Sequence, residues 1–186
     1  AGVVAEIKAQ LKVEIKEEEV EAVVRDLDQH LILDSDLARV RRMELEREFE
    51  DLAVRPVRFV PGTREEVAAQ LDGYYTSKSG AGKPGEKRQA PLSGILAPHI
   101  DFQRGGSCYS FAYRELAERS DADLYVILGV AHLSPPNPFV VTSKSYETAF
   151  GIAETDREAV AALEKRVGKR IFEHESVHRG EHSAEF

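Results

Sequence analysis

The sequence predicts an α/β protein with a largely parallel sheet, preceded by a small winged-helix-like helical module. Three observations carry this. Residues 92–186 alternate short apolar runs with amphipathic stretches, the βαβ pattern of a parallel sheet. Within them LYVILGV, Leu124 to Val130, is apolar without interruption, as a strand buried on both faces requires. Residues 1–53, by contrast, are almost entirely helix formers and charges.

The amino-terminal segment reads as helix, helix, short strand, helix. Val4, Ile7 and Leu11 recur at helical spacing, and so do Val20, Val23, Val24 and Leu27. Leu31-Ile32-Leu33 is a short apolar run expected to form a small strand or wing. Ser35 is placed to cap a third helix with Leu37, Val40, Leu45 and Phe49 as apolar positions. Up to residue 60 there are ten Lys/Arg against fifteen Asp/Glu, the wrong sign for a DNA-reading winged helix.

Residues 54–91 form a bridge. Arg55 precedes Pro56 and is pushed toward extended backbone. Thr63 and Glu66 make a capping box that opens a helix running to about Tyr75. The stretch TSKSGAGKPGEKRQAP, residues 76–91, reads as a flexible linker or exposed loop. Its Gly80, Gly82 and Lys83 fail the phosphate-loop pattern, because Pro84 follows the lysine and no strand and helix frame it.

In residues 92–186, Leu92 to Pro98 is a strand and Ser107 to Arg119 an amphipathic helix with Cys108, Phe111, Ala112 and Leu116 on one face. Leu124 to Val130 is the buried strand, and Phe139 to Thr142 another. Thr155 and Glu158 cap a further helix whose inner face is Val160, Leu163 and Val167.

Composition narrows the function. The chain has 186 residues and a net charge of −8, so nucleic acid is not an expected partner. No apolar run reaches the roughly 18–20 residues of a membrane helix, and no signal peptide is evident. A single cysteine, Cys108, allows no intrachain disulfide and no zinc site of four cysteines, or of two cysteines and two histidines. A cytoplasmic protein is the expectation. The absence of an initiating methionine and the ending at Phe186 are read as non-native termini.

His99 and His132 each lie just past the end of an expected strand. That crevice is where open α/β sheets gather ligands and metals. If the strands are neighbours, both imidazoles reach one ion, at bonds of roughly 2.0–2.1 Å. Neutral imidazole suits iron, zinc and copper. Pro98 stiffens the approach to His99. Asp101 could orient an imidazole as an outer acceptor. Gly105-Gly106 is expected to open the helix with N–H groups free to face an anion. Ser134, Pro135 and Pro136 make a rigid turn after His132. The competing interpretation is a pair of ordinary loop histidines held by backbone hydrogen bonds.

His174, His178 and His182 form a second group. His174-Glu175-Ser176-Val177-His178 matches HExxH, but Gly180 and a poor apolar face argue for a solvated loop rather than a zinc-protease helix. Glu181-His182-Ser183 leads into an apparent helix start and is expected to line a pocket.

LAPHIDFQRGGSCYSFAY, LYVILGVAHLSP and HRGEHSAEF, in this order and spacing, resemble the Memo family, nearest the bacterial AmmeMemoRadiSam system protein B type, over about residues 55–186. Residues 1–53 resemble the amino-terminal extension of those proteins, which is itself similar to small peptide-binding winged-helix modules. The resemblance implies a fold like class III extradiol dioxygenases, a sheet with helices on both faces. It implies a non-haem iron, or another divalent metal such as copper or zinc, on His99 and His132. The third ligand is a cysteine thiolate in Memo proteins and a carboxylate in the dioxygenases, and it has no counterpart before Phe186. Glu181, His182 and Ser183 match a family segment.

Two functions compete. One is a metal-dependent redox protein in a modification pathway with a radical S-adenosylmethionine enzyme. The other is a peptide- or protein-binding scaffold that keeps the dioxygenase-like pocket.

Overall fold

A computed structural model describes residues 2–12, 14–90 and 92–186. The chain divides into two compact units, Ala1–Asp51 and Leu52–Phe186.

The first unit holds α1 (Gly2–Leu11), α2 (Glu17–Gln29) and α3 (Asp36–Glu50). Three glutamates in the first turn of α2 suit the positive end of the helix dipole. Ser35 caps α3 as expected, its Oγ accepting from the N–H of Ala38 at 3.2 Å. Ala38 and Phe49 are buried, whereas Leu37 and Val40 are exposed. Leu31-Ile32-Leu33 is a turn, not a strand: Leu31 has φ +60° and its N–H bonds back to Asp28 O at 2.9 Å. Ile32 N–H bonds to Leu27 O at 2.9 Å, so the helix end consumes the donors a wing would offer to a sheet.

The second unit is mixed α/β. Its strands are β1 (Val54–Arg55), β2 (Ser145–Thr148) and β3 (Gly151–Ala153). β1 runs parallel to β2, and β3 antiparallel to it, in the order β1-β2-β3. The helices are α4 (Arg64–Thr76), α5 (Phe102–Arg119), α6 (Arg157–Val167) and the single turn α7 (Val177–Gly180), with a 3₁₀ turn at Lys169–Phe172.

Three of the strands expected for a large parallel sheet are not formed. Among the described residues, 92–98, 124–130 and 139–142 form no strand. A parallel strand needs ladder neighbours on its sides and cover on both faces. In this unit Val126, Ile127 and Leu128 are 78%, 71% and 81% exposed, and Leu96 is 96% exposed, so neither run is covered.

α4 opens with the expected capping box: Glu66 N–H donates to Thr63 Oγ1 at 3.2 Å and Thr63 N–H to Glu66 Oε2 at 2.8 Å. It packs on α5, where Gly106 allows close approach; a Cβ there would stand 2.5 Å from the Tyr74 ring. α5 begins five residues before the expected start, and its buried face is Gly105, Gly106, Tyr109 and Ser110, leaving Cys108 and Phe111 exposed.

Residues 77–90 form the expected exposed loop, but not a free linker. Ala81 N–H bonds to Ser110 Oγ at 2.9 Å, Gly85 N–H to Glu118 Oε1 at 2.8 Å and Arg88 N–H to Glu118 O at 2.7 Å. Two polar side chains and one main-chain carbonyl of α5 thus tie the segment down, and Lys83 pairs with Asp72 at 2.8 Å. α6 is capped by Asp156, which accepts from Ala159 N–H at 2.8 Å, while Thr155 instead donates to Lys144 O.

Candidate metal centre

The carboxyl-terminal turn, residues 177–186, is fixed by Arg55. Its side chain is 1% exposed and donates from Nε to His178 O at 2.7 Å, from one terminal nitrogen to Glu181 O at 2.7 Å and from the other to Glu185 Oε2 at 2.6 Å. The planar fork suits three acceptors at once, and the guanidinium also lies 5.0 Å from the Tyr146 ring centre. Glu185 Oε1 accepts the N–H groups of Arg58, Phe59 and Val60 at 2.9, 2.6 and 2.9 Å. Burial works against the ionised form of Glu185, yet these N–H groups and Arg55 hold its carboxyl below the ordinary range.

This turn presents Glu181, His182 and Ser183 to residues 129–132. Ser183 Oγ accepts from Val130 N–H at 2.7 Å and donates to Val130 O at 3.1 Å. Gly129 makes the approach feasible, since a Cβ there would meet Ser183 Oγ at 2.6 Å. Glu181 Oε2 accepts the His132 N–H at 2.9 Å, and the His132 ring donates from Nδ1 to the same carboxylate at 3.0 Å. The N–H groups of His182 and Ser183 reach Glu181 Oε1 at 2.8 and 3.0 Å. Burial is the largest single influence on Glu181 and favours the neutral acid. The N–H groups of His132 and Ser183, the His132 ring and the His182 N–H together outweigh it and hold the carboxyl at about 2. With an ionised partner at Nδ1, the neutral form of the His132 ring is the tautomer that carries its proton there, with Nε2 as the lone-pair donor.

His99, on the segment before α5, converges on the same place. Its ring centre is 5.2 Å from that of His132 and 6.0 Å from that of His182, and the His132 and His182 rings are 4.7 Å apart. A cavity of about 600 Å³ opens beside them, lined by Phe59, His99, Asp101, Arg104, His182 and Phe186 among others. That volume is in the range of small-molecule sites.

Asp101 does not touch the imidazoles as an acceptor. It caps α5, taking Arg104 N–H at 3.1 Å, and pairs with the Arg104 guanidinium, which depresses its carboxyl. Gly105-Gly106 lies inside the helix rather than at its start, and Gly105 N–H is spent on Asp101 O at 2.9 Å. His178 is drawn away from the other histidines. Its Nε2 donates to Val140 O at 3.0 Å and its Nδ1 accepts from Tyr146 OH at 3.1 Å, while burial lowers its pKa. His174, at φ +69°, precedes α7, so the HExxH residues share no helix face. Glu175 accepts from Thr142 Oγ1 and Ser143 N–H instead.

Arg55, Phe59, Glu185 and Phe186 were not singled out by sequence reasoning. Glu185 and Phe186 lie inside the HRGEHSAEF segment, which was the available signal. Nothing local marks Arg55 as more than an extended residue before proline.

The three segments that build this site fall within the match to one family model, that of the Memo-like protein, over residues 58–186. The chain belongs to the Memo-like family. Among its relatives, a MEMO1 family protein of Methanopyrus kandleri is 29% identical over 130 residues, covering 68% of this chain and 46% of that protein. A MEMO1 family protein of Thermus thermophilus is 25% identical over 175 residues, covering 92% of this chain and 51% of that protein. One from Aquifex aeolicus is 32% identical over 93 residues, covering 50% of this chain and 25% of that protein. The chain thus spans about half the length, or less, of these curated Memo-like relatives. No solved structure gives a significant match. Among the described residues, no helix is long and apolar enough to cross a membrane.

Proposed function

We propose that this Memo-like chain binds a divalent metal, iron first and copper or zinc as alternatives, through His99 and His132. The observation that carries the reading is the 5.2 Å separation of the two ring centres, with the His132 Nδ1 proton held by Glu181. The donor set fits such an ion: neutral imidazoles suit iron, copper and zinc, and a carboxylate behind a ligating histidine is the usual outer partner. Iron bound there would supply open positions for dioxygen or a substrate oxygen.

A class III dioxygenase-like domain and a redox role beside a radical S-adenosylmethionine enzyme belong to the same proposal. Support for them is the resemblance of the three quoted segments. The winged-helix-like amino-terminal module is proposed as a peptide- or protein-contacting element, supported by its three-helix order and its acidity.

Metal analysis of the purified chain tests the reading. Near-stoichiometric iron, lost in His99→Ala and His132→Ala, is the expected result. Equal metal in all three proteins would sink it.

A second reading is a peptide-binding scaffold. The aromatic walls of the cavity, Phe59 and Phe186, favour it, since such walls bind apolar side chains without a metal. It expects peptide binding that survives chelation.

A further inference from the structure

The first unit carries an apolar surface that stays open to solvent. In α2, Val20, Val23, Val24 and Leu27 recur at i, i+3, i+4 and i+7, one face of a helix. Val20 and Leu27 are half-buried, but Val23 and Val24 remain 57% and 47% exposed, and α2 has no fully buried residue.

The rim of this stripe is acidic on both sides. Residues three and four apart share a helix face. Glu19 and Asp26 therefore border Val23, and Glu21 and Asp28 border Val24. α2 holds six Asp/Glu against one arginine. Residues 1–51 hold eight Lys/Arg against fifteen Asp/Glu, so −7 of the chain's −8 lies in this unit. Local pairing does little to neutralise the rim. Glu21 meets Arg25 at 3.7 Å and Asp26 meets the His30 ring at 3.5 Å, both in the open, where an ion pair contributes little.

Helix formation explains the glutamates of the first turn, which suit the positive end of the dipole. It does not explain Asp26 and Asp28. They stand in the last turn, near the negative end, where acids are unfavourable and α2 has no base to offset them. Asp28 Oδ1 is also buried without a hydrogen-bond partner among the described residues, and a buried acceptor left unmade is costly. Breaches of local rules of this kind are expected where a site is built.

We propose that this face of α2 docks a basic amphipathic helical segment of a partner protein. Its apolar stripe would seat on Val23 and Val24, and Lys or Arg on its flanks would meet Glu19, Glu21, Asp26 and Asp28. Apolar anchors at helical spacing supply the contact, and complementary charge selects the partner. Nucleic acid and anionic membrane meet repulsion here instead. The inference rests on the peptide-contacting reading of the amino-terminal module and names the partner's chemistry.

Fluorescence anisotropy on the full 186-residue chain tests it with three synthetic helices. Each has about 18 residues, long enough to hold helical structure, with leucine at i, i+3, i+4 and i+7. The other positions are mainly lysine in the first, glutamine in the second and glutamate in the third. We expect the lysine helix to bind roughly tenfold or more tighter than the other two, and to weaken as salt rises from about 0.02 to 0.3 M. Val23→Ser with Val24→Ser should cost roughly tenfold or more, and so should Glu21→Gln with Asp26→Asn and Asp28→Asn. Circular dichroism checks that the helices persist in both variants. Equal binding of the lysine and glutamine helices, lost in the valine variant, would keep the peptide-contacting reading and overturn the basic partner. Lysine-helix binding unchanged in both variants would move the contact off α2 and overturn the inference. If no helix binds, the reading and the inference fail together.

Discussion

Glu181 grips His132 twice, at its main-chain N–H (2.9 Å) and at ring Nδ1 (3.0 Å), across 49 residues of sequence. One carboxylate thereby sets both the position of the residue and the tautomer of its ring. The same group is satisfied by two further N–H donors on its own turn, so it is held as firmly as it holds.

Replacing Glu181 by glutamine should weaken metal binding while leaving the fold in place. The amide keeps one acceptor oxygen but loses the charge that favours a proton on Nδ1. A loss of about 10–100-fold in affinity is expected, the usual effect of removing such an outer partner. Titration calorimetry measures it, and ¹⁵N spectra of the ring report the tautomer. Unchanged affinity and an unchanged tautomer would show that Glu181 does not orient the ring.

Acid should reveal the same carboxylate. The folded Glu181 sits at about 2, below the roughly 4.3 of a free glutamate. A depressed folded pKa means that its stabilisation is full above the unfolded value and fades as pH falls from about 4.3 through about 2. Glu185, also depressed, acts in the same direction. The stability gap between wild type and Glu181→Gln, followed by urea unfolding, should therefore be constant at pH 6–7 and shrink below pH 4. A gap that grows on acidification would contradict the assignment.

Arg55→Ala should be among the most destabilising single changes in the second unit. It leaves Glu185 buried without its cation and frees the carbonyls of His178 and Glu181. Breaking a buried ion pair from one side costs about 3–5 kcal/mol. Arg55→Lys should recover only part of this, because an ammonium lacks the planar fork. Denaturant midpoints decide; a loss under about 1 kcal/mol for the alanine variant, the worth of an exposed pair, would place Arg55 outside the framework of the site.

Two glycine substitutions should have opposite signs. Gly129→Ala drives a Cβ against Ser183 Oγ at 2.6 Å and should cost about 1–3 kcal/mol. It should also lower metal affinity by displacing the Glu181 turn from His132. Gly73→Ala, inside α4 with nothing within 4 Å of its new Cβ, should stabilise by about 0.5–1 kcal/mol. Thermal melts of both variants check the pair; equal shifts would mean that the Gly129 contact yields without cost.

Local signals in the sequence determined the parts of the molecule that local physics controls. Ser35 and the Thr63–Glu66 box start helices because a cap and its donor lie three residues apart, a distance visible in the sequence. His99 and His132 were legible as a pair from the segments that carry them, although the strands meant to aim them are not formed. Only the tertiary structure decided who their neighbours are. Asp101, two residues from His99, turned inward on its own helix end, and Glu181, 49 residues from His132, took the orienting role. The apolar run at 124–130 had the composition of a buried strand, but burial depends on what covers it, and here those side chains face outward. Arg55 left no trace in any periodic pattern, because its work is to join backbone carbonyls 123 and 126 residues away. Caps and periodicity are encoded within a few residues, whereas ladder partners, covering layers and converging side chains are set by contacts that exist only once the chain has closed on itself.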